Sequence, residues 1–282
     1  MSDYKKAAAE VFYEMARMIK TGESGQKISL GLSIVGSEIP AEELLQGARD
    51  AMRQDRNLEV VIIGPYPGDD LPVYQANSDE EVAASLEDLL DRKILDAVVT
   101  MHYPFPIGVA TVGKVITPAR GKPMYIATTT GTSAADRVQA MVKNAVYGIA
   151  VARADGIKNP TVGILNVEGA RQVERQLESM RKRGYSLTWG NSQRSDGGHV
   201  LRGNDLITGS VDVLVTDTLT GNVLMKLFSS FNSGGNYETV GFGYGPGIGE
   251  DFDRLILILS RASGRPVVAG AIQYAAAMVR GK

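Results

Sequence analysis

Strand-like apolar runs alternate with helix-like patterns along almost the whole sequence, and this alternation limits the folds open to the chain. The predicted strands cover residues 28–35, 58–63, 96–100, 124–127, 161–166, 185–189, 211–215 and 255–259. The predicted helices cover residues 3–20, 41–53, 78–90, 108–116, 134–154, 169–183, 223–228 and 267–279. Such alternation is typical of a doubly wound α/β fold with a mostly parallel sheet. We expect residues 189–208 to form its antiparallel or irregular part.

Length and composition bound the domain organisation and the class of partner. The chain has 282 residues, of which 44% are hydrophobic and 22% charged, so it can bury a sizeable core. We expect one α/β domain over residues 1–282, with two interleaved lobes and a cleft between them. A net charge of -2 without a long basic run argues against nucleic-acid binding through phosphates. No signal-peptide pattern or membrane-spanning apolar run is present, so we expect a cytoplasmic protein.

The absence of cysteine narrows the chemistry of the chain. Without cysteine there is no disulfide, no thiolate metal site and no cysteine nucleophile within this sequence. His102 and His199 are the only histidines. This number excludes a histidine-rich metal site and leaves only two candidates for the histidine of a Ser-His-Asp triad. His102 is either a loop residue bonded to backbone or a general base. We predict no metal and no cofactor.

Five predicted strand ends carry hydroxyl, amide or acidic side chains on turns of small residues. They are residues 36–38, 128–133, 166–168, 217–222 and 260–264. In open α/β sheets, ligands bind beyond the carboxyl ends of the strands, where backbone N–H groups and helix dipoles face them. With Arg261 or Lys226 for charge, these turns together predict a site for an anion such as phosphate.

Two features allow more than one interpretation. The Gly-rich run 241–249 does not match the GxGxxG spacing and lacks a preceding apolar strand, so the pattern does not favour a dinucleotide-binding turn. The run is either a flexible surface loop, or a lid or close backbone approach to a phosphate. Asp217 and Lys226 either form a charge pair across a helix start, or Asp217 caps that helix while Lys226 is solvated.

Four sequence blocks carry a resemblance to a known family. They are GSEIPAEELLQGA (36–48), GIKNPTVGILNVE (156–168), DVLVTDTLTGNVLMK (212–226) and SRASGRPVVAGAIQYAA (260–276). With these blocks the chain resembles the PlsX-type acyl-carrier-protein:phosphate acyltransferases over nearly its whole length. Within that family it looks closest to the alpha subunits of component C of glycine/sarcosine/betaine reductase complexes, because it has GSE in place of GGD and the ending AGAIQYAAAMVRGK. The resemblance implies a fold related to phosphotransacetylase and isocitrate dehydrogenase.

The resemblance also implies an activity, in which phosphate attacks an acetyl thioester on protein C and releases acetyl phosphate. The expected catalytic residues are Asp217, Asn222, Lys226 and Glu38. The expected phosphate- and substrate-binding residues are Thr130, Gly131, Asn166, Glu168, Gly221, Ser260, Arg261 and Ser263. Among all of these, we expect Asn222, Ser260, Arg261 and Ser263 to hold the phosphate, and Asp217 and Lys226 to organise the pocket.

The chain departs from this family at the acetyl-carrying thiol, because the family is expected to hold its acetyl group on a cysteine. The thiol then belongs to the partner beta subunit, which resembles condensing enzymes, or to a C-terminal tail, or it was substituted. The expected partners are that beta subunit, the selenoprotein A of the reductase complex and inorganic phosphate, in an oligomer. Two alternatives stay open: the related acyltransferase of phospholipid synthesis, and a non-catalytic structural subunit.

Overall fold

The computed structural model describes residues 11–13, 15–16 and 27–281 of the chain. The strands are β1 (Ile28–Ser33), β2 (Leu58–Ile63), β3 (Val73–Tyr74), β4 (Ala97–Thr100), β5 (Ala110–Ile116), β6 (Pro123–Gly131), β7 (Thr161–Leu165), β8 (Thr188–Trp189), β9 (Val200–Leu201), β10 (Val213–Val215), β11 (Gly245–Ile248) and β12 (Ile256–Ile258). The helices are α1 (Ala41–Gln54), α2 (Asp79–Asp91), α3 (Arg137–Ala154), α4 (Ala170–Lys182), α5 (Gly203–Thr208), α6 (Thr218–Ser230) and α7 (Arg265–Arg280). Of the predicted helix 3–20, residues 11–13 and 15–16 are helical, and the remainder lies outside the described residues.

The strands form one mixed sheet in the order β3-β2-β1-β4-β12-β11-β5-β6-β10-β7-β8, with β9 also paired to β7. The first half of the sheet comprises β3, β2, β1, β4 and β12, which run parallel to one another. The second half comprises β6, β10, β7, β8 and β9, which are likewise mutually parallel. Strands β11 and β5 join the halves through antiparallel pairings. The predicted doubly wound, mostly parallel sheet is confirmed.

Helices cover both faces of the sheet, because alternate residues of each buried strand point to opposite sides. In β2, Val60 and Ile62 belong to the core that includes the leucines of α1, whereas Val61 and Ile63 belong to the core that includes those of α2. The first core extends over both halves and includes residues of α1, α3, α4 and α7. On the other face, α2 and α6 contribute to two separate cores. None of the helices that the structure describes is long and apolar enough to cross a bilayer.

The antiparallel strands of the sheet lie in segments that the sequence patterns do not predict to be antiparallel. Residues 108–116, predicted as a helix, contain β5, which pairs antiparallel with β6. The helix prediction was wrong. This strand is buried on both faces, so its sequence does not alternate between apolar and polar residues as a half-exposed strand does. Its β-branched residues Thr111, Val112 and Val115 favour a strand. Residues 189–208 were expected to be antiparallel or irregular. Residues 190–199 are irregular, as predicted, whereas Trp189 belongs to β8 and residues 200–201 form β9, and both strands run parallel to β7.

The Gly-rich run 241–249 contains β11, the strand that joins the two halves of the sheet. Gly245 has a φ of +83°, and a Cβ atom there would lie 1.8 Å from the carbonyl oxygen of Val112 in β5. Glycine at this position therefore lets two strands approach more closely than any side chain would permit. The interpretation of this run as a flexible surface loop or a lid was wrong.

Candidate functional site

Residues from both halves of the sheet meet around a cavity of about 250 Å³. Its lining is formed by Glu38, Met101, Thr130, Asn222, Lys226, Tyr244, Ile258, Leu259, Ser260, Arg261 and Ala262. The segments after β1, β4 and β12 supply the first wall, and the end of β6 with one face of α6 supplies the second. These are carboxyl ends of parallel strands, where ligands of α/β proteins bind.

The first wall is built on the turn that follows β12. The hydroxyl of Ser260 accepts a hydrogen bond from the backbone N–H of Ala262 at 3.2 Å, which closes the turn. The guanidinium of Arg261 donates to Asp79 at 3.0 Å and to the carbonyl oxygen of Gly36 at 3.4 Å. The carbonyl oxygen of Arg261 in turn accepts from the backbone N–H of Glu38 at 2.8 Å. This turn thus connects the ends of β12 and β1, and holds a half-exposed arginine at the cavity.

The second wall is the face of α6 that carries Asn222 and Lys226, one helical turn apart. The amide of Asn222 donates to the carbonyl oxygen of Thr129 at 3.0 Å, so it is fixed to the end of β6. Gly221 makes this close packing possible, since a Cβ atom there would lie 1.8 Å from the carbonyl oxygen of Thr128. The glycine before the asparagine is therefore required by the contact between α6 and β6.

Buried threonines fix the strand ends behind the cavity. The hydroxyls of Thr111 and Thr129 lie 2.6 Å apart, and the hydroxyl of Thr129 donates to the carbonyl oxygen of Tyr244 at 2.8 Å. The hydroxyl of Thr111 also accepts from the backbone N–H of Thr130 at 3.0 Å. These bonds connect β5, β6 and the segment before β11, and leave Thr130 at the cavity surface. The site is preorganised by backbone that cannot shift without breaking buried hydrogen bonds.

Glu238 lies next to the cavity, and the sequence analysis did not identify it. This carboxylate is 2% exposed and accepts from the hydroxyls of Tyr244 at 3.1 Å and Ser263 at 3.2 Å. The ammonium of Lys226 lies 3.9 Å away from it. Burial and the neighbouring Glu238 raise the pKa of Tyr244 well above its usual value, so its hydroxyl remains a donor. Glu238 is the single charged residue between positions 227 and 249, and this feature of the sequence could have marked it as a candidate site residue.

Replacing Glu238 with alanine is expected to lower the free energy of unfolding by about 2–4 kcal/mol, because the buried hydroxyls of Tyr244 and Ser263 would lose their acceptor. Urea denaturation measures this loss. The matched control is Glu250→Ala, which removes a carboxylate from an exposed position and is expected to change stability by less than about 0.5 kcal/mol. Equal effects of the two substitutions would show that the Glu238 contacts contribute nothing specific.

Asp217 lies at the start of α6, outside the cavity lining. It caps the helix by accepting from the backbone N–H of Thr220 at 3.0 Å and from the Thr220 hydroxyl at 2.7 Å, and Arg137 donates to it at 3.0 Å. Burial raises the pKa of this carboxyl, but the hydrogen bonds from Thr220 and the charge of Arg137 together lower the pKa below its usual value. The interpretation of Asp217 as a cap is confirmed, and a charge pair with Lys226 is absent among the described contacts.

The structure brings some of the expected site residues together and separates others. Those that line the cavity are Glu38, Thr130, Asn222, Lys226, Ser260 and Arg261. Gly221 and Ser263 support its walls from behind, and Gly131 accepts at its carbonyl from Thr218. Asn166 and Glu168 are exposed beyond β7 and do not line the cavity. Across residues 27–281, no three potential metal ligands cluster in a way that could hold a metal ion.

The cavity lining combines two cations and several neutral donors with one carboxylate, that of Glu38 at its exposed edge. Lys226 and Arg261 carry the positive charges, and the neutral donors are the hydroxyls of Ser260 and Thr130 and the amide of Asn222. Such a set matches a tetrahedral oxyanion, because charged donors bind its oxygens strongly and neutral ones fix its orientation. The arrangement can therefore bind a phosphate-like group and stabilise negative charge that develops beside it.

Comparison with known proteins places this chain in a family. Residues 28–280 match the sequence model of a family described as "Fatty acid synthesis protein". The chain belongs to this family. It is 52% identical to the glycine/sarcosine/betaine reductase complex component C subunit alpha of Peptoclostridium acidaminophilum over 280 residues, which is 99% of this chain and 73% of that protein. It is 26% identical to a phosphate acyltransferase of Thermotoga petrophila, over 71% of this chain and 67% of that protein.

Solved structures confirm the fold of this family member. A branched-chain phosphotransacylase from Enterococcus faecalis matches with a TM-score of 0.61 at 16% identity, over 89% of this chain and 99% of that one. A 4-hydroxythreonine-4-phosphate dehydrogenase from Klebsiella pneumoniae matches with a TM-score of 0.54 at 11% identity, over 90% of this chain and 100% of that one. The predicted resemblance to the PlsX-type acyltransferases and to component C alpha subunits is likewise confirmed.

Proposed function

We propose that this chain is a phosphate acyltransferase-like subunit of a glycine/sarcosine/betaine reductase component C, and that it releases acetyl phosphate from an enzyme-bound acetyl thioester. The observation that carries the proposal is the cavity itself, in which Arg261, Ser260 and Asn222 converge from the two halves of the sheet. The names of the relatives support the same reaction class, since they include a component C alpha subunit and phosphate acyltransferases.

In the proposed reaction, an oxygen of phosphate attacks the thioester carbonyl carbon, the carbon–sulfur bond breaks, and the sulfur leaves as a thiol with the proton that phosphate gives up. Arg261 and Ser260 hold the phosphate, and Lys226 adds a second positive charge. The amide of Asn222 and the hydroxyl of Thr130 are the donors for the oxyanion that develops at the carbonyl. Asp217 contributes by fixing the first turn of α6, and Glu38 lies at the exposed edge of the cavity.

The acetyl thioester needs a thiol outside the given sequence, which contains no cysteine. We propose that a component C beta-type subunit carries the acetyl group as a thioester, that selenoprotein A of the complex acts with it, and that the assembly is cytoplasmic. Asn166 and Glu168 stay predictions for contacts with such a substrate, since they lie on the surface beyond β7.

The test is phosphate-dependent release of acetyl phosphate from an acetyl thioester, first by this chain alone and then with the beta-type partner. Turnover that appears with the partner supports the proposal. Turnover by the chain alone with long acyl carriers would instead identify an acyltransferase of phospholipid synthesis. If the chain neither binds inorganic phosphate nor adds to the activity of its partner, it is a structural subunit.

A further inference from the structure

Glu238 lies in the segment between α6 and β11, and hydrogen bonds fix it to the first wall of the cavity. Its backbone N–H donates to the carbonyl oxygen of Ala262 at 2.8 Å, and its carbonyl oxygen accepts from the N–H of Gly264 at 2.8 Å. The hydroxyl of Ser263 donates to its carboxylate at 3.2 Å. Glu238 is therefore held in place against the turn after β12, the same turn that carries Arg261.

Lys226 reaches this carboxylate from the second wall. The ammonium of Lys226 lies 3.9 Å from the carboxylate of Glu238 and 5.7 Å from the centre of the Tyr244 ring. The side chain of Lys226 is 58% exposed. A lysine side chain on the surface of a helix samples many rotamers, and ordering it costs conformational entropy. The contacts with Glu238 and Tyr244 therefore direct this ammonium toward the cavity.

The hydroxyl neighbours of Glu238 do not by themselves require a charged group. Glu238 is 2% exposed, and burying a carboxylate costs more free energy than burying a neutral amide. A glutamine could accept from the hydroxyl of Tyr244 through its oxygen and donate to the hydroxyl of Ser263 through its amide. What the carboxylate adds is a negative charge beside Lys226, a residue of the cavity lining.

We infer that Glu238 is a positioning residue for the anion site, and that its carboxylate holds the ammonium of Lys226 at the cavity. The turn after β12 then determines the place of both cations, Arg261 directly and Lys226 through Glu238. A phosphate that enters the cavity meets a lysine that is already ordered, so binding does not have to supply that ordering. This role rests on the proposed function, which supplies the phosphate.

The variant Glu238→Gln tests this role, because it removes the charge and keeps a hydrogen-bonding side chain of nearly the same size. Calorimetric titration with inorganic phosphate is expected to show an affinity roughly three- to tenfold weaker, since phosphate must then order Lys226 itself. Loss of a nearby negative charge alone would strengthen the binding of an anion. Unchanged or tighter binding would therefore overturn the inference.

The matched control is Glu87→Gln. Glu87 is another carboxylate that accepts from a tyrosine hydroxyl, that of Tyr103 at 2.7 Å, but it lies outside the cavity lining. Its replacement is expected to leave the phosphate affinity unchanged. An equal loss in both variants would show that the effect of Glu238→Gln is not specific to the cavity.

Combining the substitution with Lys226→Met shows whether Glu238 acts through the lysine. If it does, Glu238→Gln causes no further loss of phosphate affinity in a chain that already carries Lys226→Met, because no ammonium remains to be positioned. An equal loss with and without Lys226 would mean that Glu238 only supports the surrounding fold, and the positioning role would be wrong.

A measurement on Lys226 itself needs no phosphate. Reductive methylation with ¹³C-formaldehyde labels lysines and keeps their charge, and Lys226→Met identifies the Lys226 signal. NMR relaxation is expected to show the Lys226 methyl groups restricted in the unaltered chain, and as mobile after Glu238→Gln as those of the exposed Lys158. A Lys226 as mobile as Lys158 in the unaltered chain would refute the positioning role, even if Glu238→Gln does not fold. A restricted Lys226 in a chain that binds no phosphate would refute the proposed function and leave the positioning of Lys226 by Glu238 standing.

Discussion

Replacing Gly221 with alanine is expected to lower the free energy of unfolding by about 3 kcal/mol or more and to abolish phosphate binding. The added Cβ atom would lie 1.8 Å from the carbonyl oxygen of Thr128 and 2.9 Å from its carbonyl carbon. Both obstacles are backbone atoms, so no side chain can rotate away and α6 must move off β6. That movement breaks the bond from Asn222 to Thr129 and opens the second wall of the cavity.

The matched control for this substitution is Gly203→Ala. Gly203 is the first residue of α5, and a Cβ atom there would meet nothing within 4 Å. Alanine is expected to be neutral or slightly stabilising at that position, because it restricts the unfolded chain. Urea denaturation of both variants, with phosphate titration by calorimetry, checks the pair. A Gly221→Ala protein as stable as the control would mean that α6 does not pack against β6 as described.

Replacing Arg261 with alanine is expected to weaken the binding of inorganic phosphate roughly 10- to 100-fold, which is the usual effect of losing a charge-assisted hydrogen bond. Stability is expected to change little, because the pair that Arg261 forms with Asp79 is partly exposed and such pairs contribute little. Calorimetric titration with phosphate measures the loss without depending on turnover. Arg261→Lys keeps the charge but loses the two-pronged donor geometry, so it is expected to recover only part of the affinity.

Arg254→Ala is the control for this experiment. Arg254 also pairs with a carboxylate, donating to both oxygens of Asp91, but it lies outside the cavity. Phosphate affinity is expected to be unaffected by its removal. If Arg254→Ala and Arg261→Ala bind phosphate equally well, Arg261 does not belong to the anion site, and the first wall of the cavity has a different role.

The site residues that could be predicted from the sequence are those that belong to local sequence patterns. A buried strand followed by an acid, a glycine and an amide predicts a strand end that turns into a helix, and Asp217, Gly221 and Asn222 occupy such a turn. The same reasoning applies to Ser260 and Arg261 after β12. Because carboxyl ends of parallel strands collect ligands, these distant turns could be expected near one another.

The remaining features depend on contacts between distant parts of the chain. Residues 110–116 are covered on both sides, so their pattern carries neither a helical nor a strand period and pairing with β6 decides the outcome. Glu238 is held by Tyr244, Ser263 and Lys226, and no local spacing indicates that these groups surround one carboxylate. Asn166 and Glu168 follow a strand end like the others, yet β7 lies too near the far edge of the sheet to reach the cavity.

The order of the strands along the chain differs from their order in the sheet, and this difference affects folding during synthesis on the ribosome. Strands β1 to β4 come from residues 28–100, but β12, which pairs with β4, is not synthesised until residues 256–258. The strands of the second half lie between β4 and β12 in the sequence. They can therefore pair with one another before β12 has been synthesised and can pair with β4. Because Glu38 and Ser260 belong to these two separated segments, the cavity cannot be complete until residues 258–262 have been synthesised. A nascent chain halted before β12 would carry a nearly complete second half and an exposed edge at β4, which is a surface that chaperones bind and that promotes aggregation.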